Sequence, residues 1–319
     1  MDQSLIPWIL FNLLVLALLA VDLGIFHRTA HTVSIREASI WSTVWILLSL
    51  LFCFGIYLVW QRVMPASEYS NSEAALSFLT GYLIEKSLSV DNIFVFVLIF
   101  SAFAVPPIYQ HRVLFWGIIG ALVMRAVMIV VGAALLKQFH WIIFVFGAFL
   151  VFTGIKMALN KGEEIHPENN PLVKMAKRIV HVTDDYVGAA FIVRRAGTIL
   201  VTPLLLVLLV VESTDLVFAV DSIPAIFAVT KDPFIVYTSN VFAILGLRSL
   251  YFVLAGVVHK FKYLKPALAI ILTYVGIKML LTDLVSISPV LSLAIISGIL
   301  ASAIVLSLLP TRREVPKRS

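Results

Sequence analysis

The sequence predicts an all-α, polytopic membrane protein of about nine transmembrane helices, built around two inverted three-helix repeats. Three observations carry that reading. Of 319 residues, 61% are hydrophobic and 13% charged, with a mean hydropathy of +1.03. A soluble domain of that composition lacks the polar surface to cover itself. Gly-Ile-Lys-Met stands at residues 154–157 and again at 276–279, and Phe-Ala-Val stands at 103–105 and again at 227–229. Two acids within apolar runs, Asp91 and Asp215, share that spacing of 122 to 124 residues.

A bilayer core is about 30 Å thick and takes about 20 apolar residues per helix. On that rule the runs divide into spans near 5–25, 40–60, 75–104, 112–136, 139–159, 199–229, 234–257, 264–284 and 288–309. No basic stretch precedes the first span and no small-residue cleavage site follows it, so it is expected to be retained. The second span holds Cys53, the one cysteine, which excludes an internal disulfide and a CxxC metal site and reads as a small buried hydrophobe. Spans three to five (75–159) and six to eight (199–284) are the two copies. A repeat with three spans must insert its second copy upside down, as in many transporters whose site lies near midplane between the halves.

The third and sixth spans run to about 30 residues, or about 45 Å of helix, so they must tilt or break. A break is expected at Asp221-Ser-Ile-Pro224, where the proline removes a backbone donor, and an unwound turn near Ser87, Ser89 and Asn92. Residues 160–198 form a cytoplasmic linker with one or two short helices expected. The basic tail, 310–319, is expected to lie against an anionic inner leaflet.

The net charge of +6 is an orienting signal, with no need for a nucleic-acid partner. With the N-terminus outside, sixteen Lys and Arg residues fall in cytoplasmic segments against three, Arg62, Lys137 and Lys231, in outside loops. That bias sets N-out, C-in.

Charges inside the spans carry the functional signal. The third span holds Glu85, Lys86, Asp91 and Asn92; the sixth holds Glu212, Asp215 and Asp221. An unpaired charge at the bilayer centre costs at least about 2.5 kcal/mol, so these acids must be paired, protonated or bound to a cation. Glu212 and Asp215, three apart, share a helix face. Glu85 and Asp91, like Asp215 and Asp221, are six apart and lie off-face on an unbroken helix, so convergence of all five acids needs the breaks. Internal salt bridging competes with ion binding as the explanation, because Lys86, Arg125, Lys156, Arg248 and Lys278 match the five acids in number. Lys156 and Lys278 can snorkel to the interface. Arg125 and Arg248 lie mid-span in equivalent helices, and with Lys86 are candidate counter-ions or gates for an empty site. Asp22 is a lesser candidate, read as an interfacial cap or a partner of Arg28; Ser239 and Asn240 either face the pathway or bond a neighbouring helix.

None of the seven histidines sits mid-span, and methionines do not cluster. The site therefore offers carboxylate, amide, hydroxyl and carbonyl oxygen, which favours hard ions such as manganese, magnesium or calcium and does not choose among them. No P-loop, dinucleotide fingerprint, nucleophile elbow or HExxH is present, so neither an enzyme nor a bound cofactor is expected.

The run Leu79-Thr-Gly-Tyr-Leu-Ile-Glu-Lys-Ser-Leu-Ser-Val-Asp-Asn-Ile-Phe94 closely resembles the signature of the TerC family of integral membrane proteins. So do Val211-Glu-Ser-Thr-Asp-Leu-Val-Phe-Ala-Val-Asp-Ser-Ile-Pro-Ala225 and Thr238-Ser-Asn-Val-Phe-Ala-Ile-Leu-Gly-Leu-Arg-Ser-Leu-Tyr251. The resemblance implies two three-helix repeats of the LysE-like exporter type in a bacterial inner membrane. It also implies manganese export to the periplasm, with Glu85, Asp91, Glu212, Asp215 and Asp221 as ligands or pathway acids and Asn92 beside them. Manganese is then the cargo, proton antiport a natural coupling, and lipid the surrounding partner. The family's association with tellurite and alkaline stress implies an alternative, a membrane scaffold or redox modulator acting through partners. Calcium export is a further alternative.

Overall fold

The computed structural model describes residues 5–26, 33–139, 141–159, 182–195, 198–255, 263–285 and 287–308, without the side chains of 22–26, Asp91 and Arg195. Asp22 and Asp91 as side chains, linker residues 160–181 and the 310–319 tail thus lie outside the described residues. The elements are α1 (Leu5–Phe26), α2 (Ile35–Val63), α3 (Asn71–Ala102), α4 (Pro107–Gln138), α5 (Ile142–Leu159), β1 (Ile192–Arg195), β2 (Thr198–Val201), α6 (Pro203–Phe227), α7 (Pro233–Leu245), α8 (Leu247–Leu254), α9 (Leu264–Leu280) and α10 (Pro289–Leu308).

Local chemistry explains where the helices start. Ser34 caps α2 by accepting from Glu37 N. Ser70 and Glu73 form a reciprocal capping box at α3. Proline occupies the first turn of α4, α6 and α7, where its missing N–H has no intrahelical partner to lose. Among the described residues five helices are long and apolar enough to cross a membrane, namely α2, α4, α5, α6 and α10, and the bent pair α7–α8 makes a sixth. The nine apolar runs of the sequence are therefore not all spans by that measure. The 32-residue α3 carries Glu73, Glu85, Lys86 and Asp91, and α9 has 17 residues.

The two long helices are unbroken, contrary to expectation. Proline 224 lies inside α6, one turn from its end at Phe227, so its missing donor disturbs only the last turn. Along α3, Ser87 Oγ donates to Leu83 O (2.5 Å) and Ser89 Oγ to Glu85 O (2.8 Å). These hydroxyls serve carbonyls of an intact helix. The break falls at Gly246 between α7 and α8, with a bend of 41°. Lys86 lies against it, donating to Ala243 O at 3.3 Å. An ammonium at the carbonyl end of a half-helix meets the negative pole of its dipole.

In the described part of the linker, β1 and β2 pair antiparallel, Ile192 opposite Val201 and Arg195 opposite Thr198. Its branched residues, Ile192, Val193, Thr198, Ile199 and Val201, suit strands, while most of the linker in which short helices are expected, residues 160–181, lies outside the described residues. The sixth span accordingly begins as helix at Pro203, past a strand that ends at Val201.

The core interleaves the two halves. The first long helix of each half packs on the second of the other, α3 on α7 and α6 on α4. The third helices, α5 and α9, form the closest pair. Glycines let their backbones touch: a Cβ on Gly276 would lie 2.7 Å from Gly147 O, and one on Gly154 would lie 2.8 Å from Ala269 O. As α5 advances from 147 to 154, its partner recedes from 276 to 269, so the pair is antiparallel. Small residues at such contacts are the usual route to close packing in lipid.

Candidate acidic site

Arg125 of α4 is the centre of the described charge cluster. It is 2% exposed, with Glu85 at 0% and Asp215 at 3%. Its Nη1 donates to Glu85 Oε1 of α3, to Ser222 Oγ of α6 (3.2 Å) and to Asn240 Oδ1 of α7 (3.1 Å). Its Nε and Nη2 donate to the two oxygens of Asp215 at 3.2 and 3.1 Å, a bidentate pair of the kind arginine makes best. Asn240 Nδ2 donates to Glu85 Oε2 at 3.3 Å, and Asn92 Nδ2 to Asp215 Oδ1 at 3.4 Å. Three helices, α3, α6 and α7, thus deliver two carboxylates, two amides and a hydroxyl to the cluster around Arg125 of α4, without any break in α3 or α6.

The amides leave one gap. Asn92 Oδ1 is buried and has no hydrogen-bond partner. An unpaired carbonyl oxygen beside a carboxylate is the type of donor a hard cation takes. Among the described residues no group of three or more His, Cys, Asp or Glu side chains is placed to hold a metal ion. The reason is visible: a guanidinium stands between Glu85 and Asp215, and those acids face it instead of each other.

The remaining predicted residues separate by helix face. Glu212, one turn from Asp215, is half-buried with its carboxylate against Gly120 of α4. Asp221 does not join the cluster. Six residues from Asp215 on an intact helix, it points toward α5 and accepts from Thr153 Oγ1 at 3.2 Å. Lys86 belongs to the α7–α8 break described above. Arg248, on α8, has its Nη1 3.1 Å from His111 Nε2. It also borders a small cavity of about 10 Å³ that reaches Asp215. Lys278 donates to Ser292 Oγ at 2.9 Å.

Three participants were not singled out from the sequence. Ser222 and Thr153 are hydroxyls among many, with no distinguishing spacing. Gly120 did have a signal, a second glycine one turn after Gly117 on the same face of an apolar helix.

Comparison with known proteins extends this picture over nearly the whole chain. Residues 70–315 match the family described as "Integral membrane protein TerC family". A Myxococcus xanthus protein named "Uncharacterized membrane protein STKORF319" is 53% identical over 305 residues, covering 96% of this chain and 92% of the relative. Proteins of Salmonella typhi and Escherichia coli (strain K12), both named "Putative membrane-bound redox modulator Alx", are 48% identical over 301 residues, covering 94% of this chain and 93% of each relative. No solved structure matches.

Proposed function

The chain belongs to the TerC family of integral membrane proteins, and from the chemistry of its buried acids we propose that it is a secondary transporter exporting a hard divalent cation, manganese, from cytoplasm to periplasm. In this reading it is a nine-span inner-membrane protein, N-terminus periplasmic and C-terminus cytoplasmic, with repeats 75–159 and 199–284 inserted in opposite senses. The observation that carries the reading is the convergence of Glu85 and Asp215 on Arg125, with Asn92 and Asn240 bonded to the two acids. A purely structural role explains such a cluster poorly. Buried ion pairs contribute little net stability over apolar packing, and intramembrane charge is usually retained for function.

Glu85, Asp215, Glu212 and the Asn92 carbonyl are the proposed ligands, with Asp91 of α3 as a further acid. Arg125 is the counter-ion that holds the inner carboxylates when no cargo is bound, so cargo binding is an exchange of guanidinium for metal ion. Proton antiport fits this chemistry, because a carboxylate that loses its cation in a low-dielectric site favours a proton. The interleaved packing of α3 on α7 and α6 on α4 supports alternating access, since each half contributes to the other's wall.

The test is cellular metal content under manganese load, in cells lacking the protein, expressing it, or expressing Asp215→Asn. The expected result is a fall in manganese that needs Asp215, with the variant inserted normally. No change in any divalent metal would favour the second reading, a redox modulator, as the name of the Alx relatives suggests, or a scaffold acting through a partner. A fall in calcium alone would keep transport and change the cargo.

A further inference from the structure

Glu212 stands apart from the guanidinium cluster. It shares a face of α6 with Asp215, one turn away, and no hydrogen bond or ion pair engages its carboxylate among the described residues. What gives it room is a missing side chain. A Cβ placed on Gly120 would fall on Oε1, Oε2 and Cδ of Glu212 together. One turn earlier, a Cβ on Gly117 would meet only Val211 Cγ1, at 3.2 Å. The same α4–α6 seam contains the cavity of about 10 Å³ bordered by Gly117, Val211, Asp215 and Arg248, enough for about one water. Beside Asp215, on its α3 side, lies the unpaired Asn92 Oδ1.

We infer that Gly120 is a positioning residue of the cation site. Its bare Cα admits the Glu212 carboxylate to the seam, where Glu212 is the first ligand an arriving hard divalent cation meets before Arg125 releases Asp215. This rests on the cation-transport reading above. The assignment of roles follows from charge. Glu85 and Asp215 already face a guanidinium, whereas Glu212 faces none, so its oxygens are the ones an approaching cation can take without displacing Arg125. An alanine at 120 would displace the end of a flexible side chain and leave the backbone in place. Alanine is also the better helix former. The fold should therefore survive while the ligand moves.

The experiment measures manganese binding to the purified, detergent-solubilised protein, alongside thermal unfolding, for wild type, Gly120→Ala, Glu212→Asp and the double variant. Gly120→Ala is expected to unfold like wild type and to bind manganese at least about tenfold more weakly, the scale of disturbing a group that orients a metal ligand. The double variant should recover most of that loss, because aspartate is shorter by one methylene and clears the new Cβ. A helix-packing role for Gly120 would not be rescued by shortening Glu212. Binding by Gly120→Ala equal to wild type, absence of rescue, or failure of Gly120→Ala to fold would each overturn the inference alone. A wild-type protein that binds neither manganese nor calcium would overturn the cation reading and this inference with it.

Discussion

Replacing Arg125 by glutamine tests the arrangement most directly. The arginine contacts both oxygens of Asp215, Glu85 Oε1, Ser222 Oγ and Asn240 Oδ1, and both acids are at most 3% exposed. A glutamine amide offers two donors and no charge. Two carboxylates would be left in a site that water barely reaches. Breaking a buried ion pair by removing one partner costs about 3–5 kcal/mol, against about 0–1 kcal/mol for an exposed pair. Exposure near zero puts Arg125→Gln in the first class. Neutralising the whole cluster, with Arg125→Met, Glu85→Gln and Asp215→Asn together, should recover most of the loss, because no uncompensated charge remains.

The assay is equilibrium unfolding in mixed micelles followed by circular dichroism. Manganese adds a second arm. If Arg125 occupies the place of the cargo, the single variant should bind the ion more tightly than wild type; at about 100 times the variant's dissociation constant the ion should stabilise it by about 2.7 kcal/mol in total, and wild type by less. A cost for Arg125→Gln below about 1 kcal/mol, or a triple variant no better than the single, would refute the reasoning.

Three other changes have defined outcomes. Asp221→Asn should leave manganese efflux at the wild-type level and cost about 1 kcal/mol at most in unfolding, since Asp221 bonds Thr153 away from the cluster. Gly276→Ala should destabilise by about 1–3 kcal/mol or more, because the new Cβ would meet backbone atoms, Gly147 O at 2.7 Å and Val151 N at 2.8 Å, that cannot step aside; Gly298→Ala, with nothing within 4 Å, is the matched control. Glu73 gives a pH dependence: hydrogen bonds from the Ser70 hydroxyl and then the Ser70 N–H hold its carboxyl below the usual range. A lowered folded value gives stability that is present above the unfolded value of about 4.3 and lost as pH falls through the folded one. Glu73→Gln should flatten that acid limb in unfolding experiments.

The membrane class and the acids within apolar runs were legible in the sequence because they are strong one-dimensional signals. Charge in apolar runs stands out whatever the tertiary fold. The location of the helix break was not legible. Pro224 carries the stronger local signal, yet its place in the last turn of α6 makes it harmless, while the bend falls at Gly246, beside the Ala243 carbonyl that accepts from Lys86 of α3. The spacing argument did separate Asp221 from Asp215 on an unbroken helix. It could not foresee that Glu85 and Asp215 meet across helices through Arg125, a contact made by residues 40 and 90 positions apart from it. The pairing of Ile192–Arg195 with Thr198–Val201 was hidden because the second strand, Thr-Ile-Leu-Val, reads equally well as the start of a span.

The antiparallel contact between α5 and α9 makes the proposed inversion testable without any assay of transport. The offset of 122 that aligns the two Gly-Ile-Lys-Met copies carries Gly147 onto Ala269 and Gly154 onto Gly276. The observed contacts are Gly147 with Gly276 and Gly154 with Ala269. Exchanging the two copies turns each of these contacts into the other, as a two-fold axis between the helices requires. Two helices of equal orientation in the membrane could not produce this exchange, because their contacts would advance together. In the proposed nine-span arrangement, the C-terminal ends of α5 and α9 then emerge on opposite faces. In a Cys53→Ala background, Leu159→Cys should react with a membrane-impermeant maleimide only from the cytoplasmic side, and Leu281→Cys only from outside. Labelling of both from one side would refute the inverted duplication, and with it the placement of the acidic site between two oppositely inserted halves.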